Sequence, residues 1–267
     1  MTCYLCGSNQ YVTRMGNCRD NPDIFPFECA SCGLVYLSKQ VAVDYTNTCL
    51  HETELNADDK RRADYIHDIT LGKSLLDFGS GNSNFLWYYA RWTAKNAAGL
   101  EPCLLVKERI VKDGEPKVPI YRSLAEIDRK FDVITMFHTI EHLLDPRTTL
   151  IELRKKLNIG GTLIIETPNS NDVLLSLYRC KEFAGFTYWT CHPFLYNENT
   201  LAELIKQAGF EGGDIQHIQR YPLSNHLCWL AEGKPNGHNI WGYLDSREYE
   251  RNVCMEGISD TIIGRFR

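Results

Sequence analysis

Four cysteines near the start of the chain have the spacing of a metal site. Cys3 and Cys6 form one CxxC pair in CYLCGS, and Cys29 and Cys32 form a second pair in CASCGLVY. A glycine follows the second cysteine of each pair, where a tight turn needs it. Residues 1–40 are too few for a hydrophobic core of their own, so four thiolates around one zinc ion would supply the missing folding energy. We therefore predict a zinc ribbon over residues 1–40.

Two other interpretations of the four cysteines stay open, namely buried free thiols and a redox pair. The redox pair is the weaker one, because neither CxxC opens an obvious helix after a strand. Cys18 and His51 are spare ligand candidates that we expect to lie outside the site. The chain has eleven cysteines, an odd number in a long sequence, which favours metal ligation over a disulfide framework.

A glycine-rich turn in LLDFGSGNSNFL is the second chemical signature. Asp77 ends a predicted buried strand, and Gly79 and Gly81 let the backbone bend sharply and approach a ligand before a helix begins. Glu101 ends the next predicted strand, where a carboxylate can accept hydrogen bonds from two ribose hydroxyls. The turn and the carboxylate together predict a nucleoside-containing cofactor, whereas Glu101 alone would be an exposed strand-end charge. The dinucleotide fingerprint GxGxxG fits poorly, because GSGNSN lacks its third glycine.

Histidines supply the candidate acid–base chemistry, since imidazole exchanges protons near neutral pH. His138 directly follows the predicted strand FDVITMF, and Glu141 and His142 lie within one further helical turn. His192 lies in the aromatic segment FAGFTYWTCHPFLY, and His226 lies in a later insertion. We predict that the catalytic groups are among these five residues. A packing or capping role for His142 is an equally open interpretation.

Apolar runs that alternate with helical patterns from residue 73 onward predict the elements that position these groups. The pattern indicates an α/β, Rossmann-like fold with seven mostly parallel strands and helices on both faces, preceded by the small zinc ribbon. Strands are predicted at 74–78, 97–101, 118–121, 131–137, 161–167, 214–219 and 259–266. Helices are predicted from Leu55 to Ile69 and at 83–93, 102–110, 123–128, 146–157 and 201–210. The expected domains are the ribbon at 1–40, a linker and helix at 41–70, and the main domain at 71–267 with an insertion at about 220–257.

The segments DFGSGNSNF, GLEP and FDVITMFHTIEHLLDP resemble the motifs of class I S-adenosylmethionine (SAM)-dependent methyltransferases over about residues 70–220. The resemblance implies SAM as cofactor and methyl transfer as activity. Ser83 departs from the glycine often found in the first of these motifs. Phe137 and His138 would form the floor where SAM meets the acceptor. By the same resemblance, Asp77, Gly79 and Gly81 would surround the methionine part of SAM. Glu101 would hold the ribose, and Ser123 with Leu124 would flank the adenine.

Chains that join such a ribbon to such a domain resemble enzymes that modify nucleotide-linked deoxysugars and bacterial surface polysaccharides. The resemblance implies a nucleotide-linked sugar or a polysaccharide precursor as acceptor, with a histidine assisting its deprotonation. The aromatic residues at 183–196 would stack on a sugar or a base, although a packed loop over the sheet would have the same composition. The long insertion would close over the acceptor or form a homodimer contact, through Tyr221, Asn225, His226, Trp229 and Trp241.

The composition bears on the partners. The formal net charge is -5 and there is no long run of Lys and Arg, so we expect a small-molecule acceptor and no nucleic acid. There is no basic leader followed by an apolar stretch, so we expect a cytoplasmic protein without a membrane partner. One alternative is an RNA or protein methyltransferase whose ribbon grips a macromolecule, for which Lys60, Arg61 and Arg62 form a local basic patch. Another is a scaffold that binds SAM without chemistry.

Overall fold

Two β-sheets organise the chain, which the computed structural model describes over residues 1–47, 56–90, 96–106 and 118–267. The smaller sheet has four strands and the larger has seven. In chain order the strands are β1 (Tyr11–Thr13), β2 (Pro26–Cys29), β3 (Val35–Leu37), β4 (Ser74–Phe78), β5 (Asn96–Leu100), β6 (Ile120–Tyr121), β7 (Phe131–Phe137), β8 (Leu157–Pro168), β9 (Phe194–Leu195), β10 (Gly213–Ile218) and β11 (Thr261–Phe266).

The large sheet has the strand order β10-β11-β8-β7-β4-β5-β6. Strands β4 to β8 pair in parallel, and β11 runs antiparallel to both of its neighbours. The central strands β4 and β7 are buried almost throughout, as expected for a parallel sheet covered on both faces. The predicted Rossmann-like α/β fold with a mostly parallel seven-stranded sheet is confirmed.

Helices connect these strands. They are α1 (Ala57–Thr70), α2 (Asn84–Ala90), α3 (Pro146–Lys155), α4 (Val173–Ser176), α5 (Lys181–Thr187), α6 (Glu198–Gln207), α7 (Leu223–Glu232), α8 (His238–Trp241) and α9 (Arg247–Met255), with short 3-10 turns at Leu124–Glu126, Ile140–His142 and Gly242–Leu244. Helix α1 begins at a capping box in which Asn56 and Asp59 exchange side-chain-to-backbone hydrogen bonds. Its Ala63 and Ile66 pack on one face of the sheet. No helix in the described ranges is both long enough and apolar enough to cross a bilayer.

The small sheet attaches the cysteine-rich segment to the main domain. Its order is β1-β2-β3-β9, so a strand from the middle of the chain completes it. Leu34 and Tyr36 also belong to the same buried cluster as Phe194 and Leu201. The first forty or so residues therefore share the core of the main domain, which offsets their inability to form one alone.

Several predicted elements need correction. The helix predicted at 102–110 is absent from 102–106, where the chain makes a turn, and its remainder lies outside the described residues. The helix predicted at 123–128 is a single 3-10 turn. The insertion at about 220–257, for which no helix or strand is predicted before residue 259, contains α7, α8 and α9. His51, Leu55 and the end of the helix predicted at 83–93 lie outside the described residues.

Candidate active site

A cavity of about 710 Å³ lies at the carboxyl ends of β4, β5 and β7. Open parallel sheets bind ligands at this edge, because the loops that leave neighbouring strands diverge there. The cavity is lined by every residue for which a cofactor contact is expected: Asp77, Gly79, Gly81, Glu101, Ser123, Leu124, Phe137 and His138. The sheet therefore brings together side chains that are distant in sequence.

The glycine turn after β4 has a backbone that a side chain would not tolerate. Gly79 has φ +80°, and a Cβ there would lie 2.3 Å from Oγ1 of Thr139. Ser83 also has a left-handed backbone, with φ +58°, although it carries a side chain. This is the position at which the sequence departs from the glycine of similar motifs, so a serine occupies a conformation that favours glycine.

Two buried carboxylates flank this turn. Thr135 donates a hydrogen bond of 2.8 Å to Asp77, and burial raises the pKa of Asp77 to about 7. Glu101 accepts a bond of 2.9 Å from the backbone N–H of Gly81 and another of 2.9 Å from that of Cys103. The Glu101 carboxylate thus fixes the glycine turn to the loop after β5.

A polar network lies at the cavity, which three of its members line, namely Arg62, His138 and Glu141. Glu166 on β8 is fully buried and pairs with Arg61 at 2.8 Å and Arg62 at 2.7 Å. The His138 ring, whose backbone has φ +47°, lies between two carboxylates. Its Nδ1 is 3.2 Å from Glu141 and its Nε2 is 3.3 Å from Glu166. Each ring nitrogen therefore lies at ion-pair distance from a carboxylate.

Neighbouring side chains decide the charge of these two carboxylates. Burial works to raise the pKa of Glu166, but Arg62 and His138 lower it well below its usual range. Burial likewise opposes ionisation of Glu141, while His138 lowers its pKa to about 2. Thr167 adds a hydrogen bond of 3.0 Å to Glu141. Both carboxylates are therefore ionised, and they orient Arg62 and the His138 ring beside them.

His142 and His192 meet at one end of the same cavity. Their ring centroids are 4.6 Å apart in an edge-to-face arrangement. His142 Nδ1 lies 3.0 Å from the backbone oxygen of Cys191 and 3.1 Å from the hydroxyl of Tyr45. Burial, with His142 nearby, lowers the pKa of His192 to about 4. Two of the predicted catalytic histidines therefore form one cluster.

The aromatic segment at 183–196 divides between cavity and core. Trp189 lines the cavity with His192, and the Arg19 guanidinium lies 3.7 Å from the centre of the Trp189 ring. Phe194 and Tyr196 are buried in the main core. The remaining phenylalanines, Phe183 and Phe186, pack on Trp229 of α7 at 5.2 and 5.1 Å. The packed-loop interpretation therefore applies to most of this segment, whereas stacking of an acceptor on Trp189 stays a prediction.

His226 does not line the cavity. It is buried in α7, where Nδ1 is 2.7 Å from the hydroxyl of Tyr249 and Nε2 is 3.2 Å from Nε2 of Gln219. Burial lowers its pKa to about 4. The structure therefore gives His226 a packing role away from an acceptor. From the same insertion, Tyr221 does line the cavity.

Sequence reasoning missed several polar residues of the site. Among them are Tyr45, Arg122 and Arg220, which line the cavity, and Glu166, which pairs with the lining residue Arg62. Arg122 donates hydrogen bonds to the backbone oxygens of Glu101 and Cys103, which holds the loop after β5 in place. Arg122 directly follows a predicted strand and precedes Ser123, and this position was the one feature of the sequence that could have indicated its place in the site.

The four ribbon cysteines come together. Their sulfur atoms all lie within 4.8 Å of one another, with Cys3 to Cys32 at 3.6 Å and Cys6 to Cys29 at 3.5 Å. Zinc–sulfur bonds of about 2.3 Å in a tetrahedron put sulfurs roughly 3.8 Å apart, so the group fits a zinc ion. The spacing is too wide for disulfides. Cys18 is buried in a separate cluster.

A family described as a methyltransferase domain has a model that matches residues 49–213. A crystal structure of a SAM-dependent methyltransferase from Archaeoglobus fulgidus superimposes with a TM-score of 0.51 and is 20% identical. The superposition covers 78% of this chain and 92% of the Archaeoglobus fulgidus protein. The structural likeness shows the fold. The prediction of a SAM-dependent methyltransferase is confirmed at the level of family and fold.

Curated relatives add a second finding. The protein of Nautilia profundicola named tRNA U34 carboxymethyltransferase is 30% identical over 135 residues, which are 47% of this chain and 45% of the relative. The protein of that name from Colwellia psychrerythraea is 27% identical over 173 residues, or 60% and 51% of the two chains. The chain spans about half the length of these relatives.

These names correct the predicted acceptor. Sequence reasoning favoured a nucleotide-linked sugar or polysaccharide precursor and no nucleic acid. The relatives are instead named for a tRNA, and no finding supports the resemblance to sugar-modifying enzymes. Both the sugar acceptor and the exclusion of nucleic acid are therefore wrong. The error lay in treating the net charge of the whole chain as a guide to one local surface.

Proposed function

We propose that this chain, which belongs to the methyltransferase-domain family, transfers a methyl group from SAM to an RNA, with tRNA as the class to test first. One observation carries the activity: all the residues expected to contact SAM line a single cavity at the carboxyl ends of the parallel strands. The RNA acceptor is supported by the relatives named for a tRNA.

In this proposal the cofactor lies along the ends of β4 and β5. The backbone at Gly79 and Gly81 would surround the methionine part beside Asp77, and Glu101 would hold the ribose where it also fixes the turn. Ser123 and Leu124 would flank the adenine. SAM carries its own leaving group, so the protein mainly needs to align the acceptor atom behind the methyl carbon.

Phe137 and His138 would form the floor at which the two substrates meet. His138 and Glu141 act as positioning residues here, because the His138 ring faces Glu141 with its Nδ1 and Glu166 with its Nε2. Arg62 also stacks over the Phe137 ring, with its guanidinium carbon 5.1 Å from the ring centre. The floor is therefore held rigidly from three elements, which favours a fixed approach of the acceptor.

The rim of the cavity supports a nucleic-acid base as acceptor. Trp189 is half-buried beneath the exposed Arg19, and Tyr221 is 47% exposed where it lines the opening. Unpaired bases stack on aromatic rings and on guanidinium planes, which is how single-stranded RNA is commonly held. A local platform of this kind does not require the whole chain to be basic.

The test is transfer of labelled methyl groups from SAM to unmodified tRNA, compared between two variants. Base stacking is worth about 1–3 kcal/mol, so Trp189→Ala should raise the KM for tRNA by roughly five- to a hundredfold and leave the Kd for SAM unchanged. Tyr243→Ala is the matched control, because Tyr243 is 81% exposed and does not line the cavity. Label that enters protein and never RNA would overturn the RNA acceptor.

We also propose that Cys3, Cys6, Cys29 and Cys32 hold one structural zinc ion. The support is the approach of the four sulfurs and the positive φ of the glycines that follow each pair, +76° at Gly7 and +79° at Gly33. The ribbon at 1–40 would then be a zinc-stapled extension of the main domain at 71–267. Cys29→Ser should hold one zinc ion less than the wild type, and an unchanged zinc content would contradict the assignment.

A further inference from the structure

A second group of metal-ligating side chains lies at the acceptor end of the cavity. A ring nitrogen of His142, the sulfur of Cys191 and a ring nitrogen of His192 all lie within 4.8 Å of one another. His142 belongs to the 3-10 turn after β7, whereas Cys191 and His192 precede β9. We propose that these three residues bind one zinc ion, separate from the ribbon, with its fourth coordination position facing the cavity.

The hydrogen bonds of His142 select the nitrogen that would bind the metal. Its Nδ1 lies 3.0 Å from the backbone oxygen of Cys191, which can only accept, so the proton is on Nδ1. Nε2 is then the unprotonated nitrogen, which is the form that coordinates a metal. A backbone carbonyl that holds the far nitrogen of a histidine is the usual outer contact of a metal ligand.

His192 supplies the independent observation. Its Nδ1 is buried and has no hydrogen-bond partner among the described residues. A buried polar atom without a partner is unfavourable, and such atoms often mark an ion that would complete them. Cys191 is also almost completely buried, at 4% exposed, next to this nitrogen. A metal ion would satisfy both atoms at once.

The ligand set and its charge fit zinc. One thiolate and two neutral imidazoles reduce the charge of Zn²⁺ to a single positive charge, and the buried Glu141 carboxylate interacts with both histidines. Three protein ligands with one open position are the arrangement of a catalytic zinc site, whereas the four cysteines of the ribbon form a closed one. Coordination requires the three atoms to close by about an ångström, within reach of side-chain rotation.

The position of the group suggests what the ion would do. His142 and His192 line the cavity together with Trp189, whose stacking platform is proposed to receive the acceptor. An acceptor oxygen or nitrogen bound at the open position would be polarised and would lose its proton more easily. The metal site itself does not depend on the identity of the acceptor, because it can be measured without SAM or RNA.

The test is metal analysis of the full chain, loaded with zinc and freed of excess metal. We expect two zinc ions per chain in the wild type and one in both Cys191→Ser and His192→Ala. Cys228→Ser is the matched control, since Cys228 is equally buried but lies outside both groups, and it should retain two. Substitution with Co²⁺ gives a second readout, because Cys191→Ser should lose the sulfur-to-cobalt absorption of the three-ligand site and keep that of the ribbon.

The outcomes separate a metal site from simple packing. A wild-type chain that holds one zinc ion after loading overturns the proposal, whatever the variants do. So does a chain with two ions in which Cys191→Ser and His192→Ala keep both. The ribbon zinc is an internal control for folding: if Cys191→Ser loses both ions it has unfolded, and His192→Ala then decides. A result that overturns the second zinc site does not overturn the proposed methyl transfer to RNA, because methyl transfer is measured in a separate assay.

Discussion

Replacing Glu101 by glutamine is the sharpest perturbation of the cofactor site. The substitution keeps the size of the side chain, but one oxygen becomes an NH₂ group that cannot accept a hydrogen bond. In the structure both oxygens accept backbone bonds of 2.9 Å, from Gly81 and Cys103. One of these amides therefore loses its partner, which should lower the free energy of unfolding by about 1–3 kcal/mol.

The same change should weaken SAM binding. A hydrogen bond to a charged acceptor is worth about 1.5–3 kcal/mol. Since about 1.4 kcal/mol corresponds to a factor of ten, losing one such bond to the ribose should raise the Kd for SAM by roughly ten- to a hundredfold. Isothermal titration calorimetry measures this Kd directly. Glu152→Gln is the control, because Glu152 is an exposed residue of α3 that pairs with Lys155 and does not line the cavity.

The reasoning fails if Glu101→Gln binds SAM within about twofold of the wild type while its thermal stability falls. That result would mean that the carboxylate fixes the glycine turn and does not contact the ribose. If Glu152→Gln also lost SAM affinity and thermal stability, both measurements would be responding to the net charge of the chain and not to the Glu101 site. Titration with the demethylated product, S-adenosylhomocysteine, should give the same ranking, because it keeps the ribose.

Three further outcomes follow from the same geometry. Ser83→Gly should raise the free energy of unfolding by about 1 kcal/mol, because the φ of +58° at Ser83 is a strained conformation that glycine adopts freely. Chemical denaturation measures this free energy, and a variant less stable than the wild type would contradict the backbone strain at Ser83. As the pH increases toward 7, SAM affinity should increase by up to about tenfold per pH unit, and above pH 7 it should level off. The buried Asp77, with its pKa raised to about 7, is protonated in the free protein at lower pH, whereas a cationic ligand favours its ionised form. Calorimetry should find no such pH dependence in Asp77→Asn, and the same dependence in that variant would exclude Asp77 as its source. Glu166→Gln should cost about 3–5 kcal/mol of stability because it removes the buried anion that pairs with both Arg61 and Arg62, and a change below about 1 kcal/mol in thermal unfolding would refute that.

The centre of the sheet could be predicted because its signal is local. Strands β4 and β7 have the predicted ends, since each is a short, continuously buried run bounded by polar residues or glycine. Strand β8 begins at Leu157, earlier than the predicted 161, because the strand continues through Gly160 and Gly161. A glycine pair marks flexibility of the backbone but does not by itself end a strand.

Helix α7 shows a signal that was present and overlooked. Its cap is Pro222, and Gly233 ends it with φ +66°, as helix-end rules predict. Asn225, Cys228 and Trp229 lie on its buried face at helical spacing. The sequence prediction treats these residues only as part of an insertion, although their periodicity indicates an amphipathic helix.

The polar network at the cavity could not be found from sequence. Arg62 and Glu166 are 104 residues apart, and only the packing of α1 across the sheet brings them within hydrogen-bond distance. The cluster of His142 with His192 likewise depends on how the segment before β9 folds back. Local patterns specify elements, whereas long-range pairs follow from how those elements pack.

The most direct measurement is the fate of the methyl group. The purified chain is incubated with SAM labelled in its methyl group and tRNA lacking modifications, and the RNA is digested to nucleosides for mass spectrometry. We predict one labelled nucleoside, whose formation falls in parallel with SAM affinity in Glu101→Gln. Unlabelled tRNA under conditions where the chain binds SAM tightly would contradict RNA methylation, and a chain that binds neither SAM nor S-adenosylhomocysteine would contradict the proposed cofactor site as well.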